Sequence, residues 1–267
     1  MILAIDIGNT NTKTGIFQDD RISDFHAFSD DSSFYYFLEN NTPDKVALSS
    51  VVPLKTKKLI EVLKTKFNIE PFIITNDLKF NLKLKYKNVN SLGTDRVCAA
   101  EGAFYLYKNS ENYKSYDETV FLLAIDFGTA TTVNVIEYPG EFIGGLIAPG
   151  IDMMFESLKN KTAQLPLVGI NDYEGSIAND TKSSIAAGVV ASVVGMAEKT
   201  INHLKTSRGV LHKESFEQLN APTNVFVYIT GGNADKIIPH LNYDFIYEEG
   251  LVLYGINALY ELNKNLL

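Results

Sequence analysis

Residues 3–17, LAIDIGNTNTKTGIF, return at 123–137 as LAIDFGTATTVNVIE, and this internal repeat constrains the chain more than any other feature. Leu, Ala, Ile, Asp and Gly recur in register between Leu3 and Leu123, and Thr12 falls opposite Thr132 in the same alignment. Each copy is a β-branched run, a turn of Asp, Gly and Thr, and a second β-rich run. That pattern predicts a hairpin whose tight turn is lined by hydroxyls and exposed amides. Two apolar strands can resemble each other by chance. Here the polar residues repeat as well, so the expectation is a duplicated fold.

The polar stretch from Lys108 to Glu118 separates the copies and predicts a boundary, with halves at 1–117 and 118–267. In the first half, strands are expected at 2–7, 12–17, 21–28, 46–50 and 69–74, with helices at 31–39, 55–67 and 94–107. In the second, strands are expected at 119–126, 132–137, 141–147 and 225–230, with helices at 151–160, about 176–204, 233–239 and 251–264. Strand clusters followed by helices in both halves give an α/β class with a mixed sheet in each. The long helix near 176–204 carries Ala187, Ala191 and Gly195 at steps of four, a stripe suited either to packing within its half or to a subunit interface.

Composition narrows the partners. Of 267 residues, 45% are apolar, enough for buried cores, and the net charge of −8 leaves no basic stripe for nucleic acid or an anionic membrane. An acidic chain still holds phosphate where backbone amides converge. The single cysteine, Cys98, excludes an internal disulfide and fits a reducing compartment. The start, Met1-Ile2-Leu3-Ala4-Ile5-Asp6, has an acid in its apolar run and reads as a strand, not a signal peptide. The most membrane-like stretch, Ile185 to Ala197, is too short to span a bilayer, and the expected location is the cytoplasm.

The turns carry the chemistry. Asp6-Ile7-Gly8-Asn9-Thr10 closes a strand with a carboxylate, a flexible turn and a hydroxyl. Glycine lets the backbone approach an anion, and the following amides can point at phosphate oxygens. A carboxylate there repels phosphate unless a metal intervenes, so Asp6 reads as a Mg²⁺ anchor acting through water. An ordinary Asx turn has the same residues; the second copy, Asp126-Phe127-Gly128-Thr129-Ala130-Thr131-Thr132, favours the phosphate reading. Two such hairpins would face each other across a cleft. Thr230-Gly231-Gly232-Asn233 follows the apolar run Val225 to Ile229 and opens a helix, where paired glycines let an adenine or ribose lie on the backbone. No Walker-type loop and no GxGxxG is present.

These paired hairpins with a later TGG resemble the superfamily of actin and the sugar and acetate kinases. Further segments resemble the type III pantothenate kinases: Leu92-Gly93-Thr94-Asp95-Arg96, Ser49-Ser50-Val51-Val52-Pro53, Gly144-Gly145-Leu146-Ile147-Ala148-Pro149-Gly150 and Thr162-Ala163-Gln164-Leu165-Pro166. The resemblance implies duplicated actin-like, ribonuclease H-like domains and phosphorylation of pantothenate by ATP in the first step of coenzyme A synthesis. It implies Asp95 as general base, and Arg96, Gly93, Thr94, Tyr86 and Thr181 as substrate contacts. ATP would meet Asp6, Ile7, Gly8, Asn9, Thr10, Asn11, Thr12, Lys13, Thr129, Gly231 and Gly232. Asp126 would hold a monovalent cation, K⁺ or NH₄⁺, beside Mg²⁺-ATP, and the protein would be a homodimer. Val89 after Asn88, Ala178, Asn179 and Asn134 depart from the family pattern.

Asp95-Arg96 also reads on its own chemistry. Phosphoryl transfer needs positioning, charge stabilisation and a carboxylate to take the proton of the attacking hydroxyl. An adjacent guanidinium offers a planar fork for a substrate carboxylate. The bland alternative is a surface Asp capping a helix. Lys13 either touches phosphate or is solvated. His26, His203, His212 and His240 have no metal-ligand spacing and read as surface residues, Cys98 reads as packed core, and Tyr35, Tyr36, Tyr105 and Tyr107 read as packing. Two rivals remain: a kinase for another hydroxy acid or sugar, and a non-catalytic regulator of the Bvg accessory factor kind.

Overall fold

A computed structural model describes residues 1–113, 119–206 and 223–266. The chain forms two compact units. The first comprises Met1–Ser115, Pro139–Gly144 and Gly250–Leu267; the second comprises Tyr116–Tyr138 and Gly145–Glu249. The sequence-predicted boundary at 117/118 and His212 lie outside the described residues.

In the first unit, strands β1 (Ile2–Ile7), β2 (Thr12–Gln18), β3 (Arg21–Phe28), β4 (Lys45–Ser50) and β5 (Phe72–Ile73) form one sheet in the order β3-β2-β1-β4-β5. β1 pairs antiparallel with β2 and parallel with β4. Side chains alternate across the sheet. Leu3, Ile5 and Ile7 of β1, with Val46 and Leu48 of β4, join a buried cluster with Phe34, Phe37 and Leu38 of helix α1 (Asp31–Asn40) and Leu59 and Leu63 of α2 (Pro53–Phe67). Ala4 and Ala47 take the opposite parity, as do Asp6 and Ser49. That face meets α3 (Thr94–Lys108) and α7 (Leu251–Asn263).

Helices α3 and α7 cross with their backbones almost touching. A Cβ on Gly102 would lie 2.0 Å from the Leu251 carbonyl oxygen, and one on Gly255 would lie 1.8 Å from that of Cys98. This crossing puts the last helix into the core of the first unit, and Phe17–Tyr254 and Phe72–Tyr260 edge contacts secure it to the sheet.

The second unit repeats the plan. Strands β7 (Thr119–Phe127), β8 (Ala130–Glu137), β9 (Glu141–Pro149), β10 (Thr223–Thr230) and β11 (Ile246–Tyr247) run in the order β9-β8-β7-β10-β11, and a sixth strand, β6 (Lys83–Leu84), pairs parallel with the start of β9. β7 is antiparallel to β8 and parallel to β10, and β10 is parallel to β11. Helices α4 (Ile151–Lys161) and α5 (Thr181–Thr206) pack on each other, and α5 packs on β10; α6 (Ala234–Ile237) follows β10. Both units thus have the 3-2-1-4-5 strand order of the ribonuclease H-like, actin-like fold, with mixed sheets flanked by helices.

Several elements differ from the sequence-predicted bounds. The 69–74 strand pairs only at Phe72–Ile73. Helix α5 starts at Thr181, not 176, because the Asp180 carboxylate accepts the Lys182 and Ser183 amides at 2.9 and 3.2 Å and the Ser183 hydroxyl, fixing the first turn. The helix expected at 233–239 breaks after Ile237 into a 3₁₀ turn containing Pro239. Strands β6 (Lys83–Leu84) and β11 were not expected; they are two residues each and leave no periodicity to read. The stretch expected to be too short for a membrane lies in a 26-residue helix, α5, that is long and apolar enough to cross one. Its apolarity has a packing explanation in the buried Ala186, Val189, Val190, Val193 and Ala197.

The two hairpins also differ. Asp6 pairs with Lys13, whereas Asp126 pairs with Thr132, so the second turn is one residue tighter. Thr12 therefore corresponds structurally to Thr131, not to Thr132 as the constant-offset alignment has it. Burial agrees: Thr12 and Thr131 are both buried, while Thr132 is half-buried.

Candidate active site

The first unit gathers most of the sequence-predicted residues at the C-terminal ends of β1 and β4. Asp6 is the next-to-last residue of β1, half-buried on the face that meets α3 and α7, and the Gly8 amide donates to the Asn11 carbonyl at 3.0 Å to close the turn. Asn9 and Thr10 are exposed at its tip, while Thr12 is buried. A Cβ on Gly8 would come within 3.2 Å of the Asn11 carbonyl oxygen, so glycine keeps this turn tight. Lys13 is half-buried opposite Asp6.

Beside it, Ser49 lies in register with Asp6 on β4, and its hydroxyl donates to Thr94 Oγ1 at 3.1 Å. This bond ties the strand end to the first residue of α3. Asp95 and Arg96 follow in that first turn, where the helix's free amides favour negative charge. Gly93, not Asp95, occupies the cap position. The Asp95 carboxylate folds back to accept the Arg96 amide at 2.8 Å, and a Cβ on Gly93 would lie 2.4 Å from its Oδ1. Gly93 therefore keeps space for the carboxylate. The Arg96 side chain is buried, and its Nη1 donates to the Tyr86 hydroxyl at 3.5 Å.

Cys98, one helical turn beyond Thr94, is buried core as expected. Burial pushes its thiol well above the ordinary range, with the Asp6 carboxylate adding to the effect and Asp95 contributing less. Buried in this way, the thiol stays protonated and inert.

In the second unit the tight turn, the Gly150 segment and the Thr230-Gly231-Gly232 segment are knitted together. The Gly150 amide donates to the Thr129 carbonyl at 3.0 Å, and a Cβ there would sit 2.4 Å from the carbonyl oxygens of Gly128 and Thr129. Gly231 takes φ +107°, and a Cβ would lie 2.4 Å from Asp126 Oδ1 and from the Phe127 carbonyl carbon. The Asn233 amide donates to the Phe127 carbonyl at 2.9 Å, and its side chain donates to that of Gly128 at 3.3 Å. Asp126, Gly128, Thr129, Gly231 and Gly232 therefore form one cluster. Thr181 stands apart from these hydrogen bonds as the exposed first residue of α5.

Sequence reasoning undervalued Ser49 and Phe142. Ser49 is opposite Asp6 as Thr230 is opposite Asp126, so the SSVVP and TGG segments are topological twins. A hydroxyl ending an apolar strand in both was the available signal. Phe142 packs near Tyr86 and Arg96 through a pairing too short to read from the chain. Among the histidines, His26 stacks with Phe28 and bonds Asp24, His203 is exposed, and His240 packs on Tyr173. Tyr107 is buried, Tyr35 packs against Phe34 and Tyr105 stacks on Tyr254, but Tyr36 is exposed rather than packed.

Residues 2–203 match the family described as Type III pantothenate kinase. The chain belongs to that family. A type III pantothenate kinase of Sulfurihydrogenibium sp. is 31% identical over 97% of this chain and 99% of its own length. One from Listeria monocytogenes is 33% identical over 99% and 98%. Among solved structures, a conserved putative Baf family transcriptional activator from Campylobacter jejuni aligns over 98% of this chain and 99% of its own, with a TM-score of 0.56 and 19% identity, a likeness of fold. Type III pantothenate kinases are phosphotransferases that phosphorylate pantothenate in coenzyme A biosynthesis, and as kinases they use ATP with a divalent metal.

Proposed function

We propose that this chain moves the γ-phosphoryl group of ATP to the primary hydroxyl of pantothenate, with Asp95 as general base. The observation that carries the proposal is the convergence of Asp6, Ser49, Thr94 and Asp95 at the ends of β1 and β4. The hydroxyl oxygen attacks phosphorus, its proton passes to an Asp95 oxygen, and the bond from phosphorus to the bridging oxygen of ADP breaks. Arg96 and Tyr86 hold the carboxylate end of pantothenate, with Gly93, Thr94 and Thr181 as further contacts. The amides and hydroxyls from Ile7 to Lys13, with Thr129, Gly231 and Gly232, hold ATP. Residues 1–117 and 118–267 are, in this reading, the two copies along the sequence, although Pro139–Gly144 and Gly250–Leu267 of the second stretch pack into the first unit.

The donors suit the cations. Asp6 is one hard oxygen donor beside a turn of amides, and no group of three or more His, Cys, Asp or Glu surrounds a metal among the described residues. Mg²⁺ is commonly held by one or two carboxylates, water and substrate phosphates, a match to this sparse set. Bound there, it would neutralise phosphate charge. Asp126 would hold K⁺ or NH₄⁺; Gly128 and Gly231 keep the space at its Oδ1 that a Cβ would fill. Of the small-residue stripe on α5, Ala187 is buried and packs within its unit, while Ala191 is exposed and Gly195 half-buried; with exposed Gly188 and Ser192 beside them, these small residues support homodimerisation, and the metabolic role supports a cytoplasmic location. ADP release should depend on pantothenate and Mg²⁺ and rise with K⁺; release equal with a sugar or an unrelated hydroxy acid would overturn the substrate assignment. A regulator without catalysis would have no need of Asp6, Asp95 and Asp126 together.

A further inference from the structure

The two-residue strand β6 sets up an arrangement that the assigned substrate contacts do not include. Lys83 donates its amide to Gly140 O at 2.8 Å and Lys85 donates to Phe142 O at 2.9 Å, with Leu84 in register with Phe142. The Glu141 carboxylate binds the Lys83 and Lys85 ammonium groups at 3.0 and 3.4 Å, pinning the same two segments together. The next residue is Tyr86, whose ring centroid lies 6.1 Å from that of Phe142 at an interplanar angle of 54°. The Arg96 guanidinium carbon is 5.9 Å from the Tyr86 centroid and 6.0 Å from the Phe142 centroid. Phe142 is 0% exposed and Arg96 is 6% exposed.

From this geometry we propose that Phe142 is a positioning residue for pantothenate binding, fixing the Arg96 guanidinium in concert with Tyr86. The proposal rests on the reading of Arg96 as the holder of the substrate carboxylate. A guanidinium set against two neighbouring aromatic rings, about equally far from each, gains cation–π attraction from both and loses rotamer freedom before substrate arrives. Its fork is then already oriented, so less ordering is left for the binding step. Phe142 has no hydrogen-bonding side-chain group and acts only through the residues that it touches. Tyr86 supplies a ring and a hydroxyl; Phe142 supplies the second ring, delivered by the β6–β9 pairing.

Steady-state kinetics on full-length Phe142→Leu, with Phe142→Met as a second volume-preserving variant, tests this. The KM for pantothenate should rise roughly 3- to 20-fold, as expected for loss of one partly buried cation–π contact. The kcat and the KM for ATP should stay within about twofold, a split that a general packing defect would not give. In an Arg96→Lys background, Phe142→Leu should add less than about twofold, because the fork it positions is gone. An unchanged KM for pantothenate, an equal loss in all three parameters, or an undiminished effect in the Arg96→Lys background overturns the proposal. Arg96→Lys alone separates the two levels. An unchanged KM in that variant overturns the Arg96 reading itself, whereas a raised KM there with no effect of Phe142→Leu overturns the positioning role alone.

Discussion

Gly231→Ala is the most discriminating test of the nucleotide-side cluster. A residue with a side chain at φ +107° pays about 1–3 kcal/mol in backbone strain. The new Cβ would also stand 2.4 Å from the Phe127 carbonyl carbon, where ordinary contact begins at 3.4 Å, so backbone must move about 1 Å. Overpacking of that kind costs a further ~1–3 kcal/mol. The sum is about 2–6 kcal/mol, or roughly 5–20 °C in Tm for a chain of this size. Gly144→Ala is the control for strain alone: φ is +128°, and among the described residues nothing lies within 4 Å of the Cβ. Urea and thermal unfolding of both variants give the difference, which should be at least ~1 kcal/mol. Because the displaced atoms include Asp126 Oδ1, Gly231→Ala should also raise the K⁺ concentration needed for half-maximal activity. Stabilities within about 0.5 kcal/mol of each other would refute the close approach.

Asp95→Asn keeps the shape but removes the proton acceptor, so kcat should fall roughly 10²- to 10⁴-fold with little change in the KM for ATP; near-normal kcat where chemistry limits the rate would reduce Asp95 to a structural residue. Asp126→Asn should weaken activation by K⁺, and Asp6→Asn should raise the Mg²⁺ requirement, with circular dichroism spectra unchanged; normal activity of both at limiting K⁺ and ATP would remove the two-loop reading. Glu101 has its pKa raised by burial, against the lowering effect of hydrogen bonds from Leu82 and Asn81. A raised carboxyl favours the folded state below its unfolded value, near 4.5, and that contribution is lost as pH climbs through the folded value. Glu101→Gln should therefore gain stability relative to the parent as pH rises from about 4 to 7; a pH-independent difference in urea unfolding would contradict this.

The Asp-Gly turns, the strands on either side and Asp95-Arg96 at a helix start were legible because each is local: a period of two, a turn residue, a first-turn acid. The tertiary connections were not. Nothing in Ser49 announces that it bonds Thr94, since the link depends on which face of β4 meets α3. The tighter second turn was hidden because Thr131 and Thr132 are the same residue type, so an alignment could take either. Strand β6 is ordered by its neighbour and by Glu141, not by its own two residues. The α5 start is marked in the chain by Asp180 followed three residues later by Ser183, a capping arrangement masked by the long apolar run beside it.

The place of α7 bears on how the protein is made. Residues that complete the first unit's core, Leu251, Leu253, Ile256 and Tyr260 among them, leave the ribosome only after the whole of the second unit has been made. Until they emerge, Gly102 and the neighbouring face of α3 have no helix to receive, and the strand face bearing Ala4 and Ala47 lacks part of its cover. The start of the chain therefore cannot finish folding during translation in the N-to-C order usual for tandem domains. A nascent chain stalled anywhere before residue 250 should remain sensitive to protease in its first hundred residues, and emergence of α7 should close the first unit into a protected core.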